Sequence, residues 1–113
     1  MIMNITKRQP VSVGEILTEE FMQPYRLTQA ELARLMGVSR KTVNELCTNK
    51  RSVTAETALM LATVFANTPD FWLNTQQRND VWHVLNSKRR ARRVHNAKPL
   101  PANRKRTALQ SVA

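Results

Sequence analysis

Residues 28–51, TQAELARLMGVSRKTVNELCTNKR, constrain the fold more than any other stretch, because they read as two short capped helices around a tight turn. Thr28 is a good N-cap, and Glu31 three residues on completes a capping box. Leu32, Leu35 and Met36 form an apolar stripe at helical spacing. Gly37 supplies the turn, where a positive φ costs a glycine little. Ser39 then caps a second helix with Val43 and Leu46 on its inner face and Arg40, Lys41, Thr42, Asn44 and Glu45 on its other faces. A polar surface at the start of the second of two such helices is where a helix-turn-helix protein reads DNA.

The stretch resembles the Cro/CI-type (XRE) regulators of phages and bacteria, with Q-A-E-L-A at 29–33, G-V-S at 37–39 and N-K-R at 49–51 in matching places. VGEILTEEF (13–21), TAETALMLATVFANTPDFWLN (54–74) and Gln77 are similar to the HigA/VapA subfamily, usually described as antitoxins. Together these cover residues 12–85. The resemblance implies an all-α, five-helix, lambda-repressor-like DNA-binding domain.

The residues support that layout independently. Residues 1–11 read as a flexible arm and 12–86 as the domain. A first helix starts at the N-cap Ser12 with Glu15 as its capping-box partner and buries Ile16, Leu17, Phe21 and Met22. It stops before Pro24, which cannot continue the hydrogen-bond ladder. The motif helices span about 29–36 and 40–48, and Asn49 suits a left-handed helix end. Thr54 caps a fourth helix over about 55–66, apolar through Ala58, Leu59, Leu61, Ala62 and Phe65. Its capping box is incomplete, because Thr57 stands where Glu or Gln belongs. Thr68 and Pro69 open a fifth helix. Phe71, Trp72 and Leu73 anchor it in the core, and the polar run 74–80 separates them from Val81, Trp82, Val84 and Leu85. That second group is either a dimerisation surface or additional core.

The formal charge is +10, and it is unevenly placed: nine of the 18 basic residues lie in 87–113, with no acidic residue among them. The first 86 residues hold nine basic and eight acidic side chains, so the excess charge belongs to 87–113. That stretch reads as a basic, disordered C-terminal extension in which Pro99 and Pro101 limit any helix to about residue 98. Within the domain, residues 26–51 carry six basic and two acidic groups, while Glu15, Glu19 and Glu20 cluster on the first helix. A basic face around the motif with acid elsewhere suits a nucleic-acid partner. The extension is either a solubilising tail or an auxiliary phosphate contact, and counterion release rewards its charge on RNA as well as DNA.

Candidate base-reading residues are Arg40, Lys41, Thr42, Asn44 and Glu45, because Arg pairs with guanine and Asn with adenine in the major groove. The resemblance places Arg40 and Lys41 at the base-facing positions and Gln29 at a phosphate contact. Glu45 either accepts from a cytosine amine or pairs with Lys41, one turn away. Ser39, Lys50 and Arg51 are further phosphate partners.

No catalytic constellation, metal-ligand spacing or cofactor motif is present: His83 and His95 stand apart, Cys47 is the one cysteine, and the two glycines build no phosphate loop. Cys47 fits packing better than reactivity. With no apolar run long enough to span a bilayer and no signal-peptide core, the expectation is a cytoplasmic, non-enzymatic homodimer on palindromic double-stranded DNA. The subfamily resemblance adds an alternative, an antitoxin that also binds a partner mRNA-cleaving toxin and represses its own operon.

Overall fold

The computed structural model describes residues 8–104, and these are helical with no strand. They fall into two compact units that divide after His83. The helices are α1 (Val13–Ile16), continued as a π-helical segment over Leu17–Met22, then α2 (Gln29–Met36), α3 (Arg40–Cys47), α4 (Ala55–Phe65), α5 (Pro69–Leu85) and α6 (Lys88–His95), with a short 3-10 turn at Ala102–Arg104. All five expected helices are present, and a sixth follows them.

The first helix differs from a plain α-helix in its second half. Its apolar residues pair five apart, Ile16 with Phe21 and Leu17 with Met22, which matches the i→i+5 repeat of a π-helix. The wider turn keeps Leu17 and Met22 buried together and turns Phe21 toward the aromatic residues of α4 and α5.

Four helix ends close the same way. Leu27, Val38, Lys50 and Asn67 donate their backbone amides to the carbonyls of Met22, Ala33, Glu45 and Ala62, five residues back. The residue before each donor adopts a left-handed conformation: Arg26 (φ 52°), Gly37 (φ 76°), Asn49 (φ 60°) and Ala66 (φ 55°). These are Schellman caps, which satisfy otherwise orphaned carbonyls. Gly37 and Asn49 are the residue types that tolerate this conformation best; Arg26 and Ala66 hold it with a less suitable side chain present.

The core of the first unit gathers Leu17, Leu32, Val43, Leu46, Leu61 and Trp72, all fully buried. Phe21 touches the rings of Phe65 and Trp72 at 4.8 and 4.9 Å between centroids. The Trp72 indole N–H donates to Asn67 Oδ1 at 3.0 Å, so its polar atom is satisfied at the edge of that cluster.

Three expected core positions lie outside it. Phe71, expected to anchor α5 with Trp72 and Leu73, is exposed and meets the cluster only through its ring contacts to Phe21 and Trp72, and Leu35 and Leu59 are exposed as well. Leu35 is 52% exposed, because the inner face of α2 is Leu32, Ala33 and Met36, and Leu35 lies about 100° around from its centre. Leu59 is 57% exposed for the same reason, since α4 buries Ala58, Leu61 and Ala62. The polar run of α5 is also less exposed than its composition suggests. Thr75 and Asn79 follow Trp72 at helical spacing and are buried. The Thr75 hydroxyl donates to the Phe71 carbonyl at 2.8 Å, and the Asn79 side-chain amide donates to the carbonyls of Val11 at 2.8 Å and Thr75 at 3.2 Å. Through Asn79, the inner end of the expected flexible arm is fastened to α5; residues 1–7 lie outside the described residues.

In the second unit, α6 replaces part of the expected disordered extension. Ser87 caps it, and it ends at His95, before Pro99. Residues 105–113 of that extension lie outside the described residues. Val81, Trp82, Val84 and Leu85 at the end of α5 are each half-buried.

Candidate nucleic-acid interface

The motif is built by local bonds at the start of each of its helices. Thr28 and Glu31 form a reciprocal capping box, with the Glu31 amide donating to Thr28 Oγ1 at 3.1 Å and the Thr28 amide donating to Glu31 Oε1 at 3.0 Å. Those bonds from Thr28 hold the Glu31 carboxyl below its usual range, backbone first and side chain second. At the start of α3, Ser39 Oγ accepts the Thr42 amide at 3.1 Å and shares a hydrogen bond with Thr42 Oγ1 at 3.0 Å.

Arg40 and Lys41 are exposed on the first turn of α3, and Thr42 is half-buried beside them. Asn44 lies one turn further on, where its side-chain amide donates to Gln29 Oε1 at 3.3 Å. This bond ties the start of α2 to the exposed side of α3, so a residue expected at a phosphate and a residue expected at a base stand side by side.

Glu45 is placed differently from the expected pairing with Lys41. It pairs with Arg51 rather than Lys41, taking Nη2 at 2.7 Å and Nε at 3.0 Å on one carboxylate oxygen. The Schellman turn at Asn49 brings Arg51 back over the last turn of α3, which makes it the partner. Arg51 is correspondingly engaged through part of its guanidinium, while Lys50 beside it is exposed.

The seating of α3 depends on Ser12 and Asn49, whose sequence signals mark only helix ends, and on Gly14, which carries no helix-end signal. The Gly14 backbone amide donates to Asn49 Oδ1 at 2.9 Å, and the Asn49 side-chain amide donates to Ser12 Oγ at 3.0 Å. A Cβ on Gly14 would run into the Cys47 carbonyl oxygen. The legible signal was a glycine inside the first turn of a helix, where it costs about 1 kcal/mol against alanine unless a close approach requires it. A second anchor is Gln76, whose Oε1 accepts the Val53 amide at 2.9 Å and so fixes the loop after α3 to α5. Cys47 is half-buried; its thiol donates to Met22 Sδ at 3.6 Å, and burial raises its pKa against a smaller lowering by Thr18.

This arrangement can present a basic, hydrogen-bonding helix end to a polyanion on a fixed frame. Residues 19–72 match the helix-turn-helix family model. The chain is 45% identical over 92 residues to an HTH-type transcriptional regulator of Haemophilus influenzae, covering 81% of this chain and 86% of that one. The chain belongs to the XRE-type helix-turn-helix family.

Within that family it is 49% identical over 84 residues to antitoxin HigA-1 of Vibrio cholerae, covering 74% of this chain and 79% of the relative. Its fold matches the Pseudomonas aeruginosa antitoxin HigA solved with higBA promoter, at a TM-score of 0.73 and 30% identity over 82% of this chain and 100% of that one. The XRE and HigA resemblances read from the sequence are therefore borne out. Among the described residues, no helix is long and apolar enough to cross a membrane, and no group of three or more His, Cys, Asp or Glu is placed to hold a metal ion.

Proposed function

We propose that this chain is a sequence-specific DNA-binding transcriptional regulator, acting as a homodimer that inserts α3 into the major groove and represses the promoter it covers. The observation that carries the reading is the exposed Arg40–Lys41 pair at the capped start of α3, on a helix fixed at its far end by Asn49 and Gly14. Arg40, Lys41, Thr42 and Asn44 face the bases, and Gln29, Ser39, Lys50 and Arg51 hold phosphates. Glu45 serves mainly to orient Arg51. Val81, Trp82, Val84 and Leu85 pair two copies so that their α3 helices enter successive major grooves about 34 Å apart. The reading assigns the chain no catalysis and a cytoplasmic location.

Fluorescence anisotropy with the gene's own upstream promoter and with a scrambled duplex tests this. Promoter preference that Arg40→Ala abolishes is the expected result. Equal binding to both duplexes that Arg40→Ala leaves untouched would overturn it.

The similarity to HigA-1 and to the promoter-bound HigA supports a second reading, an antitoxin that also neutralises a partner toxin cleaving mRNA. It shares the DNA site and adds a protein partner. Co-expression with the product of the adjacent gene, followed by co-purification and rescue of growth, separates the two readings.

A further inference from the structure

The most concentrated charge on the molecule lies outside the helix-turn-helix. Helix α6 carries Lys88, Arg89, Arg90, Arg92 and Arg93 within eight residues, all exposed. No Asp or Glu follows Asp80 anywhere in the sequence, so the second unit contains no acidic side chain to offset them.

This helix is electrostatically unfavourable by itself. Lys88 and Arg92, and likewise Arg89 and Arg93, are like charges four apart, which repel across one helical turn. Lys88, Arg89 and Arg90 occupy the first turn, where the helix dipole already presents its positive end. An isolated helix of this length is marginal even without such repulsion. An external anion removes both penalties at once.

The apolar side of α6 is narrow, formed by Ala91 and by Val94, which is itself 53% exposed. That is too little to seat the helix in a lipid interface, where a broad apolar face is required. A broad cationic face spanning about 200° of the helix, with little apolar surface opposite, fits a phosphate backbone instead.

We propose that α6 is a second, sequence-independent DNA-binding element, which lays Arg89, Arg90, Arg92 and Arg93 along duplex phosphates and is held helical by them. The proposal rests on the reading of this chain as a DNA-binding regulator. It adds affinity without adding discrimination, because phosphates fix position and carry no base identity.

The test uses the full chain and the combined variant Arg89→Gln, Arg90→Gln, Arg92→Gln, Arg93→Gln, which removes charge while keeping good helix formers. Binding to promoter and scrambled duplexes is titrated across a salt series. Each lost phosphate contact lowers the slope of log K against log salt by about 0.9, so the expected fall is about 3 to 4 for both duplexes. Promoter preference is retained. Hydrogen exchange on the wild-type chain gives an independent readout, with 88–95 becoming protected when duplex is added.

An unchanged slope, or an unprotected 88–95 in a complex whose α3 is protected, would overturn the proposal. Protection by a structured RNA but not by duplex DNA would also overturn it. Loss of promoter preference in the otherwise wild-type Arg40→Ala chain reports on the helix-turn-helix alone. If the wild type shows no preference but the combined variant still lowers the slope, the regulator reading fails and the role of α6 stands.

Discussion

The backbone amide of Gly14 and the side-chain carbonyl of Asn49 are joined by a 2.9 Å hydrogen bond that fastens the first turn of α1 to the end of α3. Asn49 performs two tasks there. Its left-handed backbone (φ 60°) ends α3, and its side-chain amide reaches back to Ser12. The seating of the proposed recognition helix thus depends on residues at its far end, away from Arg40 and Lys41.

Gly14→Ala is expected to destabilise the domain by about 1–3 kcal/mol, because the new methyl overpacks the gap against the Cys47 carbonyl. Thermal denaturation measures that loss. Asn49→Gly keeps the left-handed turn but removes the clamp, so promoter affinity should fall more than the melting temperature suggests. Equal affinity in Asn49→Gly and wild type would show that the clamp does not position α3.

Ala66→Gly should stabilise the protein. Ala66 ends α4 at φ 55°, where an L-residue with a Cβ is strained by roughly 1–2 kcal/mol. Glycine relieves that strain at some cost in chain entropy, leaving a gain of about 0.5–1 kcal/mol. A rise of several degrees in melting temperature is the expected reading.

Cys47 should react slowly with a thiol reagent near neutral pH in the folded protein and quickly once denaturant is added. Burial raises its pKa, so the reactive thiolate is scarce. The sign of the linkage follows. A folded-state pKa above the unfolded one contributes stability that is fully present below the unfolded pKa and is lost as pH rises through the folded value. Denaturation midpoints for wild type and Cys47→Ser should therefore diverge least in the alkaline range.

The capping box at α2 gives the opposite pH dependence. Thr28 holds the Glu31 pKa down, so its contribution is present above the unfolded carboxylate pKa and disappears as pH falls through the folded value. Thr28→Ala should cost about 1 kcal/mol at neutral pH through the lost N-cap. Its melting temperature should lose only part of the acid-side dependence that Glu31 supplies, because the Thr28 backbone amide, the larger cause, still donates to the Glu31 carboxylate.

Much of this arrangement was legible because its causes are local. Thr28, Gly37 and Ser39 mark helix ends through bonds made within three or four residues, and the structure places them as the spacing predicts. The start of α5 at Pro69 follows from the same kind of reasoning. The pairing of Glu45 was missed because Arg51 reaches it only after the chain turns at Asn49. Leu35, Leu59 and Phe71 are exposed where core positions were expected, because apolar character alone does not say which of two adjacent faces meets a neighbour.

Residue type and short-range spacing were enough to give the first five helices, their N-caps and the cationic start of α3, and the resemblance of the motifs added the family. Packing across the fold selected which polar residues became fastenings. Asn79 and Gln76 read as part of a hydrophilic gap in α5, yet they hold Val11 and Val53. Gly14 reads as a weak helix residue until Cys47 lies against it. A buried amide or a missing side chain takes its meaning from the partner across the fold, and that partner is set by packing rather than by neighbours along the chain.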